Sequence, residues 1–197
     1  MTARLTLICH ASTEAVRKAA FPSDEPLDRH GLSDATALVG KLPGADRCWT
    51  SPELRTRQTA EALHLNAISL STLRDCDYGA WKGYTLDEIL TRDPQAVETW
   101  LRDPADAPHG GESLLSLMQR IAQWLEGEKA MDRHSILVTH ATVIRAAIIH
   151  AIGAAPNSFW LINIAPLSVT RLSGKDSRWN LMFAGSLMSK AEPVSLD

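Results

Sequence analysis

Two apolar runs constrain this chain more than anything else in it, and each of the two stops at a histidine. Leu5-Thr6-Leu7-Ile8-Cys9 runs into His10, and Ser135-Ile136-Leu137-Val138-Thr139 runs into His140. Apolar runs of this length without polar alternation belong to strands covered on both faces, as in a parallel sheet under helices. The rest of the chain supplies matching units. Residues 47–50 read as a short strand, 67–73 as a second β-leaning segment, and 162–172 and 179–183 as closing strands joined by a turn at 173–176. Helical patterns lie between them. Residues 32–42 take Ser33 as N-cap, and a helix running to about residue 63 takes Ser51 as N-cap with Pro52 at its first position. Residues 86–101 are cut in two by Pro94, and a last helix covers 143–152. Leu114, Leu117, Met118, Ile121 and Leu125 repeat at helical spacing and give one buried face. Residues 21–31, with two prolines, three acids and a glycine, suit an exposed connection. The alternation predicts a three-layer α/β/α sandwich around a mostly parallel sheet. Residues 1–197 then form one domain, with a frayed tail after about 187.

In such a sheet the carboxyl ends of the strands share one edge, and that edge is where ligands bind. His10 and His140 each end a strand there, and Arg55 lies in the first turn of the helix after a third. Helix N-termini open on the same edge, where free N–H groups favour an anion. An arginine in a first turn opposes the helix dipole, so something negative compensates it: Glu53 or a bound phosphate. A zinc site is the rival reading, since Cys9, His10, Asp75 and His140 are all ligand types. Adjacent strand residues point to opposite faces, however, so Cys9 and His10 do not grip one ion. With 20 basic and 23 acidic residues, the net charge of −3 gives no bias toward nucleic acid or membrane. The apolar stretch 143–155 is broken by Arg145 and His150, and the N-terminal run is too short for a signal peptide. Cys9, Cys48 and Cys76 are odd in number and lack metal-motif spacing, which predicts a reducing, cytoplasmic compartment without disulfides.

Five segments in order resemble the motifs of the histidine phosphatase superfamily, with its phosphoglycerate-mutase-like fold. They are Cys9-His10-Ala11-Ser12-Thr13; Ser51-Pro52-Glu53-Leu54-Arg55-Thr56-Arg57-Gln58-Thr59-Ala60; Leu73-Arg74-Asp75-Cys76-Asp77-Tyr78-Gly79-Ala80-Trp81-Lys82-Gly83; Gly110-Gly111-Glu112-Ser113; and Val138-Thr139-His140-Ala141. The third and the short chain look most like the small phosphatase branch. The resemblance implies a phosphomonoester hydrolase acting on a small phosphorylated metabolite through a phosphohistidine, with no metal or cofactor. It makes His10 the nucleophile, has Arg55 and His140 neutralise the transferred group, and has Asp75 protonate the leaving oxygen. Cys9, Ala11, Thr13, Arg17 and Ala141 are then expected around the phosphate. A homodimer is left open, and a mutase would need a bisphosphate-sized site that nothing here suggests.

The departures from the family pattern fall on its first motif. Cys9 stands where the family carries a phosphate-binding arginine, and Ala11 and Ala141 replace glycines. Asp75 is one methylene shorter than the usual glutamate, and Lys82 sits where small phosphatases often carry glutamate. An active enzyme then needs a nearby cation such as Arg17, Lys18 or Arg145. The alternative is a catalytically weak or inactive protein that holds a phosphorylated ligand without turnover.

Overall fold

The computed structural model describes residues 2–129, 131–175 and 178–186; the expected tail lies outside these residues, as does the end of the turn at 173–176. At its centre is β1 (Ala3–Cys9), buried at every position except Arg4. The sheet has six strands in the order β3-β2-β4-β1-β5-β6. β2 (Arg47–Thr50), β3 (Ile68–Ser69) and β4 (His134–Thr139) run parallel to β1, whereas β5 (Ser168–Lys175) and β6 (Arg178–Ser186) close one side antiparallel. The sheet is therefore mixed and mostly parallel.

Along β1 successive side chains enter different layers, as the period of two requires. Leu5, Leu7 and Cys9 pack in one apolar core with α6 (Leu114–Lys129) and α7 (Ala141–Ile152). Ile8 and then Ala11 pack in a second core near α2 (Arg29–Thr36) and α3 (Leu54–Ala62). Two helices, α4 (Leu86–Arg92) and α5 (Pro94–Arg102), follow the loop after β3. Pro94 divides them as expected, and Asp93 caps the second by accepting from Ala96 N–H at 2.9 Å.

Three boundaries differ from the expectation. α2 starts earlier, because Asp28 rather than Ser33 is its N-cap, accepting from Gly31 N–H at 2.7 Å. Its first turn is polar, so the apolar pattern begins only later. Residues 21–31 are accordingly not all an exposed connection: they include the start of α2, and Phe21 is buried against Tyr78, Trp81 and Trp100. α3 starts after Glu53, and its free Leu54 N–H is taken by Asp24 Oδ1 at 2.6 Å instead of by Ser51. Finally, β5 begins only at Ser168, because the chain turns at Leu167 (φ 57°), whose N–H donates to Cys9 O at 3.1 Å.

Candidate functional site

The register of the two central strands builds the site. Cys9 pairs with Thr139, and His10 N–H donates to Thr139 O at 2.9 Å, so the two apolar runs end level. The histidines after them emerge side by side, with ring centroids 5.3 Å apart. His10 Nδ1 lies 2.8 Å from the carbonyl oxygen of Ala11. A carbonyl only accepts, so Nδ1 carries the proton and Nε2 is left with its lone pair. Burial, then the charges of His140 and Arg55, lower the His10 pKa to about 3, so the ring is neutral at ordinary pH.

His140 is held by residues from two elements. Its Nε2 lies 2.8 Å from Ser51 Oγ and 3.1 Å from Glu53 Oε2, and its Nδ1 faces Asp75 Oδ2 at 3.4 Å. Arg55 is 1% exposed; Nη2 donates to Asp75 Oδ2 at 2.8 Å and Nη1 to Ser23 O at 2.8 Å. Asp75 also accepts from Thr142 Oγ1 at 2.5 Å and from Cys76 N–H at 2.8 Å. Burial pushes the Asp75 carboxyl up, but His140 and Arg55 outweigh it and hold the group at about 2. Glu53 behaves alike: burial opposes ionisation, while the hydrogen bond and charge of His140 hold it at about 2. One buried donor of this cluster, Arg55 Nε, has no hydrogen-bond partner, and a buried donor calls for an acceptor.

α3 explains why its motif has that spacing. Thr59 Oγ1 donates to Arg55 O at 2.7 Å and accepts from Ala11 N–H at 3.0 Å, while Gln58 Oε1 accepts from Leu27 N–H at 2.8 Å. One helix thus presents Arg55 and pins the loops on either side of α1 (Glu14–Lys18). The loop carrying Asp75 is pinned from α6, where Arg120 Nη1 donates to Thr72 O at 2.6 Å and Nη2 pairs with Glu112 at 2.6 Å. Further along that loop, Gly79 and Gly111 meet so closely that a Cβ would lie 2.1 Å from His109 O and 2.0 Å from Asp77 O respectively. The cavity outside this cluster holds about 330 Å³ and is lined by Ser23, Asp24, Glu53, Arg55, Arg74, Asp75, Asp77 and Lys82 among others.

His10, Arg55, Asp75 and His140 therefore converge. Ala11 contributes its backbone, and Ala141 opens α7 directly after His140. Cys9 itself is buried in the apolar core, and burial followed by the Asp75 charge pushes its thiol up to about 12. One expected residue turns away: Arg17 is exposed and pairs with Asp28 at 3.4 Å. Thr13 is buried; its hydroxyl caps α1 by accepting from Val16 N–H and donates to Glu25, which lies 4.0 Å from Arg55. Lys18 is spent on Glu14 at 2.6 Å. α1 has five residues and buries none of them, so nothing turns its cations inward. Local reading missed the contacts of Glu53, Ser51 and Thr142; their nearness to Arg55 and His140 in the chain was the available signal. Among the described residues no group of three or more His, Cys, Asp or Glu is arranged to hold a metal ion, and no helix is long and apolar enough to cross a membrane.

Residues 5–185 match the profile of the histidine phosphatase superfamily (branch 1). Phosphoserine phosphatase 1 of Hydrogenobacter thermophilus is 28% identical over 168 residues, which cover 80% of each chain. Glucosyl-3-phosphoglycerate phosphatase of Mycolicibacterium vanbaalenii is 33% identical over 174 residues, covering 80% of this chain and 77% of that one. Some other relatives are longer, and the chain spans only 49% of their length. The native structure of mycobacterial glucosyl-3-phosphoglycerate phosphatase superposes with a TM-score of 0.82 over 94% of this chain and 100% of that one, at 23% identity, a likeness of fold.

Proposed function

The chain belongs to branch 1 of the histidine phosphatase superfamily, and from that membership we propose that His10 is the nucleophile of its phosphatase reaction. The protein is a phosphoric monoester hydrolase for a small phosphorylated metabolite. One observation carries the assignment to His10: the Ala11 carbonyl holds the proton on Nδ1, so a neutral ring offers Nε2 at a strand end.

Nε2 attacks phosphorus in line as the bond from phosphorus to the leaving oxygen breaks. Arg55 and His140 face the oxygens of the transferred group and offset its charge. Asp75 gives a proton to the leaving oxygen. As the site stands, that carboxylate is ionised by its pair with Arg55. A phosphoryl dianion changes this, because it draws Arg55 toward itself and adds negative charge beside Asp75. Both changes raise the proton affinity of the carboxyl group. In the second half-reaction Asp75 takes a proton from water, the water oxygen attacks the phosphohistidine, and the bond from phosphorus to Nε2 breaks to release phosphate. The substrates named for two relatives, phosphoserine and glucosyl-3-phosphoglycerate, support a small polar ester here. Three cysteines without a disulfide fit a reducing compartment such as the cytoplasm.

The test is to quench turnover of a generic phosphomonoester in base and look for acid-labile phosphate on the protein. Wild type acquires it and His10→Ala does not. Phosphate that binds wild type with no covalent label and no turnover would favour the alternative of a protein that only holds its ligand.

A further inference from the structure

Four arginines are buried or half-buried among the described residues: Arg55, Arg120, Arg133 and Arg145. The first three each have a carboxylate close by: Asp75 at 2.8 Å, Glu112 at 2.6 Å and Glu128 at 2.8 Å. Arg145 makes no ion pair with any described residue. Its Nε donates to Ile162 O at 2.7 Å, and its guanidinium lies over the Phe159 ring, 5.3 Å from the centroid. These two contacts fix the plane of the fork and leave Nη1 and Nη2 unbonded. A guanidinium drawn part-way out of water without a counter-charge destabilises a fold until an anion meets it.

The position of Arg145 on α7 says where that anion would come from. Ala141, Thr142 and Arg145 lie three and four residues apart, on one face of the helix. Thr142 Oγ1 donates to Asp75 at 2.5 Å. Arg145 thus stands one helical turn along α7 from the hydroxyl that holds Asp75.

The site, for its part, is short of positive charge. Asp75 neutralises Arg55, Glu53 adds a second carboxylate, and position 9 brings a small uncharged side chain. A phosphoryl dianion entering beside His10 meets two fixed carboxylates, with Arg55 and His140 already paired to them. We infer that Arg145 is a further phosphoryl-binding residue, its free Nη pair meeting the transferred group across Cys9. The inference rests on the phosphatase reading.

The experiment measures inorganic phosphate and vanadate affinity by calorimetry, and kcat/KM on esters with and without a carboxylate in the leaving group. Arg145→Met is expected to lower kcat/KM by about 10²-fold on every ester and to weaken phosphate binding by about tenfold. Arg145→Lys, which keeps the stem and charge and so preserves the fold, recovers part of the phosphate affinity because it lacks the fork. Phosphate affinity equal to wild type in both variants overturns the assignment. A loss confined to carboxylated esters also overturns it, and moves Arg145 to the leaving group. Wild type that neither turns over esters nor binds vanadate would instead sink the phosphatase reading itself. Wild type that does both while the variants match it removes only the role of Arg145.

Discussion

At the buried cluster behind the cavity, His10, Arg55 and His140 are 7%, 1% and 1% exposed, and Arg55 and His140 are joined through Asp75, Glu53, Ser51 and Thr142. On the opposite rim, Lys82 pairs with Asp77 at 2.6 Å, each side chain about half exposed, and Arg74 reaches Glu112 at 3.5 Å across an exposed loop. The same kinds of ion pair stand on both sides, yet their energetics differ. A buried pair leaves an uncompensated charge when one partner is removed, whereas water and salt replace the partner of a surface pair. The inner side is therefore intolerant of change, and the rim can vary its charges while the fold and the inner chemistry persist.

That contrast can be broken most directly at Arg55. Arg55→Ala is expected to abolish measurable turnover and to lower the unfolding free energy by about 3–5 kcal/mol, read from urea denaturation. A variant as stable as wild type would show that Asp75 is not stranded by the change. Next in size is Asp75→Asn. It should cut kcat by about 10²-fold on an alkyl phosphate and far less on p-nitrophenyl phosphate, whose leaving group needs no proton. Equal losses on both would remove Asp75 as the proton donor.

Acid should weaken the inner side first. His10 stays neutral in the fold down to about 3, while an unfolded histidine titrates near ~6.5. The unfolded chain therefore binds the extra proton as pH falls, and stability declines from about 6.5 toward 3. Asp75 and Glu53, held at about 2, stabilise the fold above the ordinary carboxyl range. Their contribution is lost as pH drops from about 4 through 2. Denaturation midpoints across pH should slope accordingly, and His10→Ala should flatten the stretch from about 6.5 to 4. A slope there unchanged by His10→Ala would remove that ring as its source. The smallest effect is at the rim: Lys82→Ala should shift stability by no more than ~0.5 kcal/mol and kcat/KM by a few-fold that vanishes at high salt.

The legible parts of the molecule are those whose determinants are local or periodic. The runs ending at His10 and His140 read as buried strands because strands covered on both faces need unbroken apolar sequence, and Pro94 announced the break between α4 and α5. The convergence of His10, Arg55 and His140 followed from parallel strands sharing an edge, whereas Asp75 was legible only through the family resemblance. What escaped was exchange between distant segments. Asp24, thirty residues away, takes the Leu54 N–H, and Glu53 makes no cap bond of its own. Glu53 is thereby free to reach His140, and no local rule foretells that. Arg17 misled for a related reason, since closeness in sequence to His10 says nothing about which way a short exposed helix faces.

The place of β1 in the sheet has a consequence for how the molecule is made. β1 pairs with β4 and β5, whose partner residues lie about 130 to 170 positions further along. During synthesis the apolar segment Leu5 to Cys9 must wait, unpaired, until β4 and then β5 have left the ribosome. Long-range pairing of this kind makes folding slow, and an apolar strand left waiting is open to association with other chains. The strand that seats His10 at the centre of the finished fold is therefore its most vulnerable segment before that fold exists.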